Sequence, residues 1–414
     1  MAARDKVLYL TYHGIMCRVF DSQVLAYIKE LRADFDIRLL AMDSYWNARG
    51  EAYQKQRERV RGVLGENCVF GTHIPFAGPL SLRWDARQVY RVAREMLADG
   101  GRLVIHGRGQ VCGYLGVLAK RAMPPVRTIT DVRGATVEET AYAAQSVPAK
   151  LALPIRIAHL RSVERVSVSE ADAVFAVSTP LMEYLARKYQ MPGVRKIIPT
   201  CVNTSAFTPD PNLRQAAREK LGIGDRFAVM YSGSMAYWHL PDGIVRTFAR
   251  IKQLVPDSYL VLLTKDRGLA EQSVRRASLS EGDYTIQTAQ HMEVPRYLAA
   301  GDLAILVRDS SVVNAVACPT KFAEYLSCGL PVAVSPGVGD TETVVRKYGV
   351  GIVLPEGLNR ESLHALRADA SMRERAIQAA REMFDLRLGS RNIAEAYNTL
   401  LSGETNVVER TALA

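Results

Sequence analysis

The segment Pro319–Ser335 reads PTKFAEYLSCGLPVAVS and joins a short helix to the buried strand that follows it. We predict a helix over Thr320–Cys328, which Gly329 ends ahead of a strand at Val332–Val334. A helix that leads directly into a strand is the repeating unit of a parallel α/β sheet. The segment therefore predicts an α/β fold for the part of the chain around it.

The same alternation extends on both sides of this segment through the second half of the chain. We predict strands at Phe227–Tyr231, Tyr259–Thr264, Tyr284–Ile286, Leu303–Val307 and Gly351–Val353, and helices at Pro241–Leu254, Leu269–Ala277 and Val294–Ala300. Residues 361–401 are predicted to be helical. The pattern indicates a doubly wound parallel sheet with helices on both faces.

The first half of the chain repeats this pattern. Predicted strands are Val7–Tyr12, Ile37–Met42, Leu103–His106, Arg127–Asp131 and Ala173–Ser178, and predicted helices are Asp21–Ala33, Ala86–Leu97 and Val111–Arg121. Between the halves, Lys196–Asn212 reads KIIPTCVNTSAFTPDPN, a short strand and then a linker without periodicity.

A chain of 414 residues is longer than one hydrophobic core usually fills. We predict a Rossmann-like acceptor domain over residues 1–200 and a Rossmann-like nucleotide-sugar domain over residues 201–375. Residues 376–402 are predicted to form a helical segment that packs back toward the first domain, and residues 403–414 a flexible tail. The carboxyl ends of both sheets are expected to face a cleft, where ligands bind in such folds.

The bulk composition, 48% hydrophobic and 23% charged, is typical of a globular protein. The chain begins without the pattern of a secretory signal and has no apolar run long enough to span a bilayer, so we expect it in the cytoplasm. Its six cysteines include no C-x-x-C pair, which favours free thiols over a zinc site or a disulfide framework.

The net charge of +10 comes entirely from the first half of the chain. Residues 1–200 contain 29 Lys and Arg against 19 Asp and Glu, whereas residues 201–414 contain 24 of each. We expect this half to meet something anionic: a membrane surface, a lipid phosphate or a nucleic acid. The spacing of Arg83, Arg87, Arg91 and Arg94 beside Leu80, Leu82 and Trp84 fits an interfacial helix, and equally a solvated face over a core-packed stripe.

Lys321 falls in the first turn of the helix that Thr320 is predicted to cap. A lysine there opposes the helix dipole, and a bound diphosphate would compensate for this. Glu324, one turn further along, is placed to accept hydrogen bonds from both hydroxyls of a ribose. The alternative is an ordinary surface pair of Lys321 and Glu324.

Several segments together resemble a known family. They are EADAVFAVS (170–178), KIIPTCVNTSAF (196–207), YSGS (231–234), VPRYLAAGDLAIL (294–306) and PTKFAEYLSCGLPVAVS (319–335). In this order they look like the retaining glycosyltransferases of GT-B architecture, in particular the large family four. The first half carries the resemblance more loosely, through His13-Gly14, Ser22-Gln23, His106-Gly-Arg108 and Asp131-Val-Arg-Gly134.

The resemblance implies a hexosyltransferase that moves a sugar, with retention, from a nucleotide diphosphate sugar to an acceptor, with no obligatory cofactor or metal. The predicted donor-binding set is Ser232, Gly233, Ser234, Lys265, Arg308, Thr320, Lys321 and Glu324. The predicted set in the first domain is His106 and Asp131 as catalytic residues, with His13, Gly14, Arg108 and Arg133 on the acceptor and sugar side.

The sequence departs from the family pattern at two places, both in the predicted donor site. A glutamate that the family carries eight positions before Glu324 is Val316 here, so contacts to the donor sugar are not predicted. The family's Arg and Lys after the glycine turn are absent from Ser234–Gly243, so Lys265, Arg308 and Lys321 are predicted to neutralise the diphosphate instead. Trp238, in the same segment, either stacks on a base or sugar or packs under the turn.

We expect an anionic, lipid-linked acceptor from the assembly of cell-surface polysaccharides, peripheral contact with the inner face of the membrane, and no nucleic-acid partner. Two alternatives stay open. One is a nucleotide-sugar epimerase of the same fold, and the other is a protein that binds a nucleotide sugar or glycan without turnover.

Overall fold

The computed structural model describes residues 5–74, 78–207 and 211–402, and its chain divides into two compact units. One unit is Met1–Pro199 with Gly389–Ala414, and the other is Thr200–Leu388. The chain therefore leaves the first unit once and returns to it near the end.

The first unit is built on a parallel sheet of seven strands in the order β3-β2-β1-β4-β5-β6-β7. The strands are β1 Lys6–Thr11, β2 Asp36–Ser44, β3 Cys68–His73, β4 Leu103–Arg108, β5 Val126–Val132, β6 Ala173–Ala176 and β7 Val194–Ile197. Because β1 pairs with both β2 and β4, the winding reverses direction between β1 and β4. In open parallel sheets, ligands bind at the carboxyl ends of the strands at such a switch point.

Helices connect these strands and cover the sheet. They are α1 Ala26–Leu31, which continues a π-helical turn Asp21–Leu25, α2 Glu51–Leu64, α3 Gly78–Leu97, α4 Gln110–Ala122, α5 Thr136–Ala143, α6 Val147–Ser169 and α7 Thr179–Lys188. The last helix, α17 Leu386–Ser402, lies mostly in this unit. One core cluster joins Leu8 and Leu10 of β1 to Val89 and Val92 of α3 and Leu115 of α4.

The second unit holds a parallel sheet of six strands in the order β10-β9-β8-β11-β12-β13. The strands are β8 Phe227–Ser232, β9 Ser258–Leu263, β10 Tyr284–Gln287, β11 Leu303–Leu306, β12 Val332–Val334 and β13 Gly351–Val353. Here β8 pairs with β9 and β11, so the switch point lies between β8 and β11. This repeats the arrangement in the first sheet.

Consecutive residues of β8 show how both faces of the second sheet are covered. Ala228 belongs to one buried cluster with Phe322 of α13, whereas Val229 belongs to the other with Phe248 of α9. The helices of this unit are α8 Pro211–Leu221, α9 Pro241–Leu254, α10 Arg267–Arg276, α11 Val294–Leu298, α12 Val312–Ala315, α13 Thr320–Ser327, α14 Thr341–Tyr348, α15 Arg360–Ala368 and α16 Ser371–Phe384. The two parallel α/β sheets confirm the predicted fold class.

Strand β3 and helix α6 were not among the predicted elements. β3 reads CVFGTH and alternates between buried and partly exposed residues, so it lacks the continuous apolar run of a central strand. The predicted cap of α13 was wrong. Thr320 is the first helical residue, Pro319 holds the cap position, and no side chain forms a cap hydrogen bond there.

Helix α3 carries the predicted interfacial segment. Its apolar stripe, including Leu82, Val89 and Val92, is buried in the core, while the arginines at 83, 87, 91 and 94 are exposed. Trp84 is exposed as well, and the side chain of Leu80 lies outside the described residues. Within the part of the chain that the structure describes, no helix is both long and apolar enough to cross a bilayer.

Asp302, directly ahead of β11, ties helix α8 to the second sheet. Its carboxylate accepts hydrogen bonds from the Ala228 main chain at 2.8 Å, from Arg214 at 2.6 Å and from Arg218 at 3.3 Å. The side chain is buried, so the charge of Asp302 and those of the two guanidinium groups compensate one another in a region of low polarity.

We expect Asp302→Asn to lower the free energy of unfolding by about 2 kcal/mol, because two guanidinium groups lose their shared carboxylate. Urea unfolding followed by circular dichroism measures this. Asp242→Asn, which removes an exposed partner of Arg276, is the control and should cost less than about 1 kcal/mol. Equal losses for the two variants would contradict the anchoring role of Asp302.

Candidate functional site

The glycine turn after β8 contacts the first turn of α13. Lys321 Nζ donates a hydrogen bond to Tyr231 Oη at 2.9 Å, and Tyr231 Oη donates to the main-chain oxygen of Ser234 at 2.6 Å. Gly233 has φ +133°, and a Cβ there would lie only 2.6 Å from Lys321 Nζ. The turn therefore requires glycine both for its backbone conformation and for the approach of the lysine.

Two further side chains fix this turn. Asp266, which follows β9, accepts hydrogen bonds from Ser234 Oγ at 2.7 Å and from the Met235 main chain at 2.8 Å. Tyr325 of α13 accepts one from the Ser232 main chain at 2.8 Å. The predicted residues Ser232, Gly233 and Ser234 are thus held in a defined conformation at the switch point of the second sheet.

Three basic side chains converge beside the turn: Lys321 from α13, Arg308 from the loop after β11, and His239 from the 3₁₀ turn Tyr237–His239. Burial lowers the pKa of Lys321, and the charge of Arg308 lowers it further. Burial and then the charges of Lys321 and Arg308 lower the pKa of His239 to about 2. His239 Nδ1 is buried without a hydrogen-bond partner among the described residues. Burial is the largest cause of both lowered pKa values, and the neighbouring positive charges add to it.

Glu324 lies on α13 one turn beyond Lys321. Its side chain is 10% exposed, and its Oε1 is 3.0 Å from His291 Nε2. The charge of Glu324 partly offsets the effect of burial on Lys321. The structure therefore places the two predicted residues on one side of the helix, Lys321 against the glycine turn and Glu324 against His291.

The other predicted residues of this unit lie in different surroundings. The side chain of Lys265 is exposed, one position before Asp266. Val316, where the family carries a glutamate, is buried. Trp238 is exposed on the turn that also carries His239.

In the first unit, His106 is fully buried within β4. Its Nδ1 is 2.7 Å from Tyr397 Oη of α17, and its Nε2 is 3.5 Å from Asp131 Oδ2 of the neighbouring β5. The rings of Tyr9 and Phe175 flank it at centroid distances of 4.5 Å and 5.5 Å. Burial lowers the pKa of His106, and the hydrogen bond and charge of Asp131 oppose that effect. The catalytic role of His106 stays a prediction.

Asp131 is the common partner of several cations. Arg133 Nη1 donates to its Oδ1 at 3.1 Å, and Arg108 Nη1 lies 3.5 Å from its Oδ2. Burial alone would raise the pKa of Asp131, but Arg133, His106 and Arg108 outweigh it and hold the pKa well below its usual range. Arg133 also donates to Gln23 and to the main-chain oxygen of Ile198. The structure thus brings the predicted residues His106, Arg108, Asp131 and Arg133 into one network.

His13 and Gly14 follow β1 at the switch point of the first sheet. Gly14 has φ +64°, and a Cβ there would lie 1.9 Å from the carboxylate of Asp43. Asp43 Oδ2 accepts a hydrogen bond from the Ile15 main chain at 3.0 Å. Partial desolvation by its surroundings, followed by the charge of Arg108, lowers the pKa of His13. His13 thus lies within the electrostatic reach of the Asp131 network.

Sequence reasoning did not identify His239, Asp266 or Tyr231 as parts of the site. His239 stands six positions after Gly233, in the segment from which the family's Arg and Lys are absent. The sequence did contain one indication of its role: His239 is a basic residue in the segment that directly follows a strand at the switch point. Asp266 carried no such signal, because its role depends on the pairing of β8 with β9.

The chain resembles known proteins in sequence and in fold. Residues 21–201 match the model of the family described as glycosyl transferase 4-like domain. The chain is 25% identical over 205 residues to the GDP-mannose-dependent alpha-(1-6)-phosphatidylinositol monomannoside mannosyltransferase of Mycolicibacterium smegmatis, a match over 47% of this chain and 50% of that protein. It thus spans about half the length of this curated relative.

Solved structures resemble the whole chain. HepE of Anabaena in complex with UDP superposes with a TM-score of 0.69 at 16% identity, over 95% of this chain and 100% of that one. WaaG, a glycosyltransferase involved in lipopolysaccharide biosynthesis, superposes with a TM-score of 0.60 at 16% identity, over 96% and 100%. The two doubly wound sheets thus have the GT-B architecture of these solved structures, and residues 21–201 match a glycosyl transferase 4-like domain.

Proposed function

We propose that the chain transfers a hexosyl group, with retention, from a nucleotide diphosphate sugar bound by the second unit to a lipid-linked acceptor bound by the first. The observation that carries this proposal is the convergence of Lys321, Arg308 and His239 beside the glycine turn. Burial lowers the pKa of all three, Arg308 lowers that of Lys321 further, and Lys321 and Arg308 lower that of His239 further. A diphosphate between them would offset both the burial and the repulsion.

The same cations can stabilise the charge that develops in the reaction. When the bond between the sugar and the diphosphate breaks, negative charge grows on the departing diphosphate oxygens. Lys321 and Arg308, held in place beforehand, stabilise that charge more than they stabilise the intact donor. Glu324 then anchors the ribose, which keeps the diphosphate in register with the cations.

The first unit is proposed to hold the acceptor and the transferred sugar. Arg108 and Arg133 are the less buried members of the Asp131 network, and His13 lies beside it. We propose that Asp131 and His106 act on the sugar through these residues, whose orientation they fix. The retained configuration rests on the family resemblance alone.

The donor base and the acceptor are proposed from relatives. The mycobacterial relative is named for GDP-mannose and a phosphatidylinositol mannoside, whereas HepE was solved with UDP. The excess positive charge of residues 1–200 favours an anionic lipid acceptor and contact with the inner face of the membrane. We therefore propose a role in assembling a cell-surface glycan.

A panel of GDP- and UDP-sugars, each incubated with and without a membrane extract, tests the activity. We expect release of nucleoside diphosphate only when the extract is present and for one base class, and no loss of activity with EDTA. Epimerised donor without extract would instead show an epimerase. Binding of a nucleotide sugar without turnover in either condition would show a non-catalytic binding protein.

Glu324→Ala should weaken nucleotide binding by about tenfold or more, because the ribose loses hydrogen bonds to a charged acceptor. Isothermal titration calorimetry with the nucleoside diphosphate measures the change. Glu342→Ala, which alters an exposed ion pair with Arg346 in the same unit, is the matched control. Unchanged affinity for Glu324→Ala would remove Glu324 from the donor site.

Donor binding should strengthen as the pH falls from about 8 to about 4, once the pH passes below the pKa that His239 has in the complex. Free His239 is neutral in this range because its pKa is lowered to about 2, and the negative diphosphate raises that pKa on binding. Binding then takes up a proton, which contributes up to about tenfold in affinity per pH unit. An intact nucleotide sugar is the right ligand, since its diphosphate has no proton that titrates near neutral pH.

Calorimetry across this pH range should show a flatter profile for His239→Ala than for the unchanged protein. The exposed His364 of the same unit gives the control, His364→Ala, which should keep the original slope. If His239→Ala keeps that slope too, His239 does not contact the diphosphate.

A further inference from the structure

Helix α6 is apolar on two opposite sides over its first half. On one side, Leu153, Ile157 and Leu160 are partly buried. On the other, Val147, Leu151 and Ile155 follow one another at intervals of four residues and are 71%, 78% and 80% exposed. A helix that is apolar all round normally has both sides covered.

The exposed side belongs to a part of α6 that extends beyond the sheet. α6 has 23 residues, a length of about 34 Å, whereas the seven residues of β5 span about 23 Å. The helix leads back to the start of β6, and its fully buried residues occur only from Val163 onward. Its first turns therefore project past the carboxyl edge of the sheet.

Other exposed apolar residues lie at the same edge. Met16 follows β1, Trp46 follows β2 and Ile74 follows β3, and all three are exposed. Because the carboxyl ends of parallel strands share one edge, these loops and the first turns of α6 belong to the same end of the unit. This is also the end that carries His13 and Arg108.

The charges beside the exposed stripe are positive. Lys150 is exposed three residues after Val147, and the exposed Arg161 lies about 9 Å beyond Ile155 along the helix. Residues 147–163 contain no Asp or Glu. A two-fold contact with a second copy through this stripe would bring these cations together without a carboxylate from either stripe. An anionic lipid surface has the complementary charge and accepts the apolar side chains.

We propose that Val147, Leu151 and Ile155 insert into the interface of an anionic lipid bilayer, with Lys150 and Arg161 against the head groups. The purpose of this insertion rests on the proposed function. The insertion would hold against the bilayer the end of the first unit where a lipid-linked acceptor would enter. Helix α6 thereby takes the role for which the arginine face of α3 was the sequence-based candidate.

Flotation of the full-length protein with vesicles tests the proposal. Vesicles of phosphatidylcholine with phosphatidylglycerol should bind the protein, and vesicles of phosphatidylcholine alone should bind it less. The double variant Leu151→Ser/Ile155→Ser should partition at least about tenfold more weakly into the anionic vesicles. Lys150→Glu/Arg161→Glu should also lose binding, and the loss should be confined to the anionic vesicles.

Two variants provide matched controls. Met292→Ser changes a side chain of equal exposure, 80%, in the second unit, and should bind as before. Arg87→Glu/Arg91→Glu alters the exposed face of α3 and should retain most of the binding. Loss of binding in the α3 variant with retention in the α6 variants would overturn the proposal, as would an unchanged protein that does not float.

Light scattering after gel filtration tests the alternative that a second copy of the chain covers the stripe. If the unchanged protein is a dimer and Leu151→Ser/Ile155→Ser is a monomer, the stripe is an interface between copies and the proposal is wrong. Calorimetry of nucleotide binding without vesicles distinguishes a failure of lipid binding from a failure of the proposed function. Normal nucleotide binding by the α6 variants leaves the proposed function standing, whereas Glu324→Ala tests that function without reference to lipid.

Discussion

Both sheets depend on one constraint of chain winding, the reversal of direction between two neighbouring strands. At β1 and β4, and again at β8 and β11, successive crossovers leave in opposite directions, so the carboxyl ends there are left uncovered by the helices. His13 and Arg108 stand at the first reversal, and Gly233 and Arg308 at the second. The polar and charged groups of the molecule are thus concentrated where the winding leaves room for a ligand.

Much of this fold could be predicted because central strands and their helices have strong periodic signals. Helix α9 and strand β12 have the predicted bounds. Two of the elements that escaped prediction have weaker signals for identifiable reasons. Edge strand β3 contains Gly71 and is half exposed, and α6 has apolar residues on both sides, so neither shows a clear period.

The candidate site likewise contains residues that could be predicted from the sequence and residues that could not. Lys321 and Glu324 could be predicted because a helix's first turn fixes their spacing and makes a lysine there unusual. His239 could not, since its proximity to Lys321 and Arg308 depends on how a 3₁₀ turn folds over the strand ends. Sequence position also did not reveal that His106 points into the core, because a residue at a strand's end can face either side of the sheet.

The hydrogen bond between Tyr397 and His106 has a consequence for the order in which the molecule is made. Tyr397 is fully buried and also contacts Phe35 edge-on, so residues from the last helix complete a core whose other members occur in the first two hundred residues. During synthesis this core of the first unit closes only after Tyr397 has left the ribosome. The second unit, whose residues are contiguous from Thr200 to Leu388, is complete before the first one.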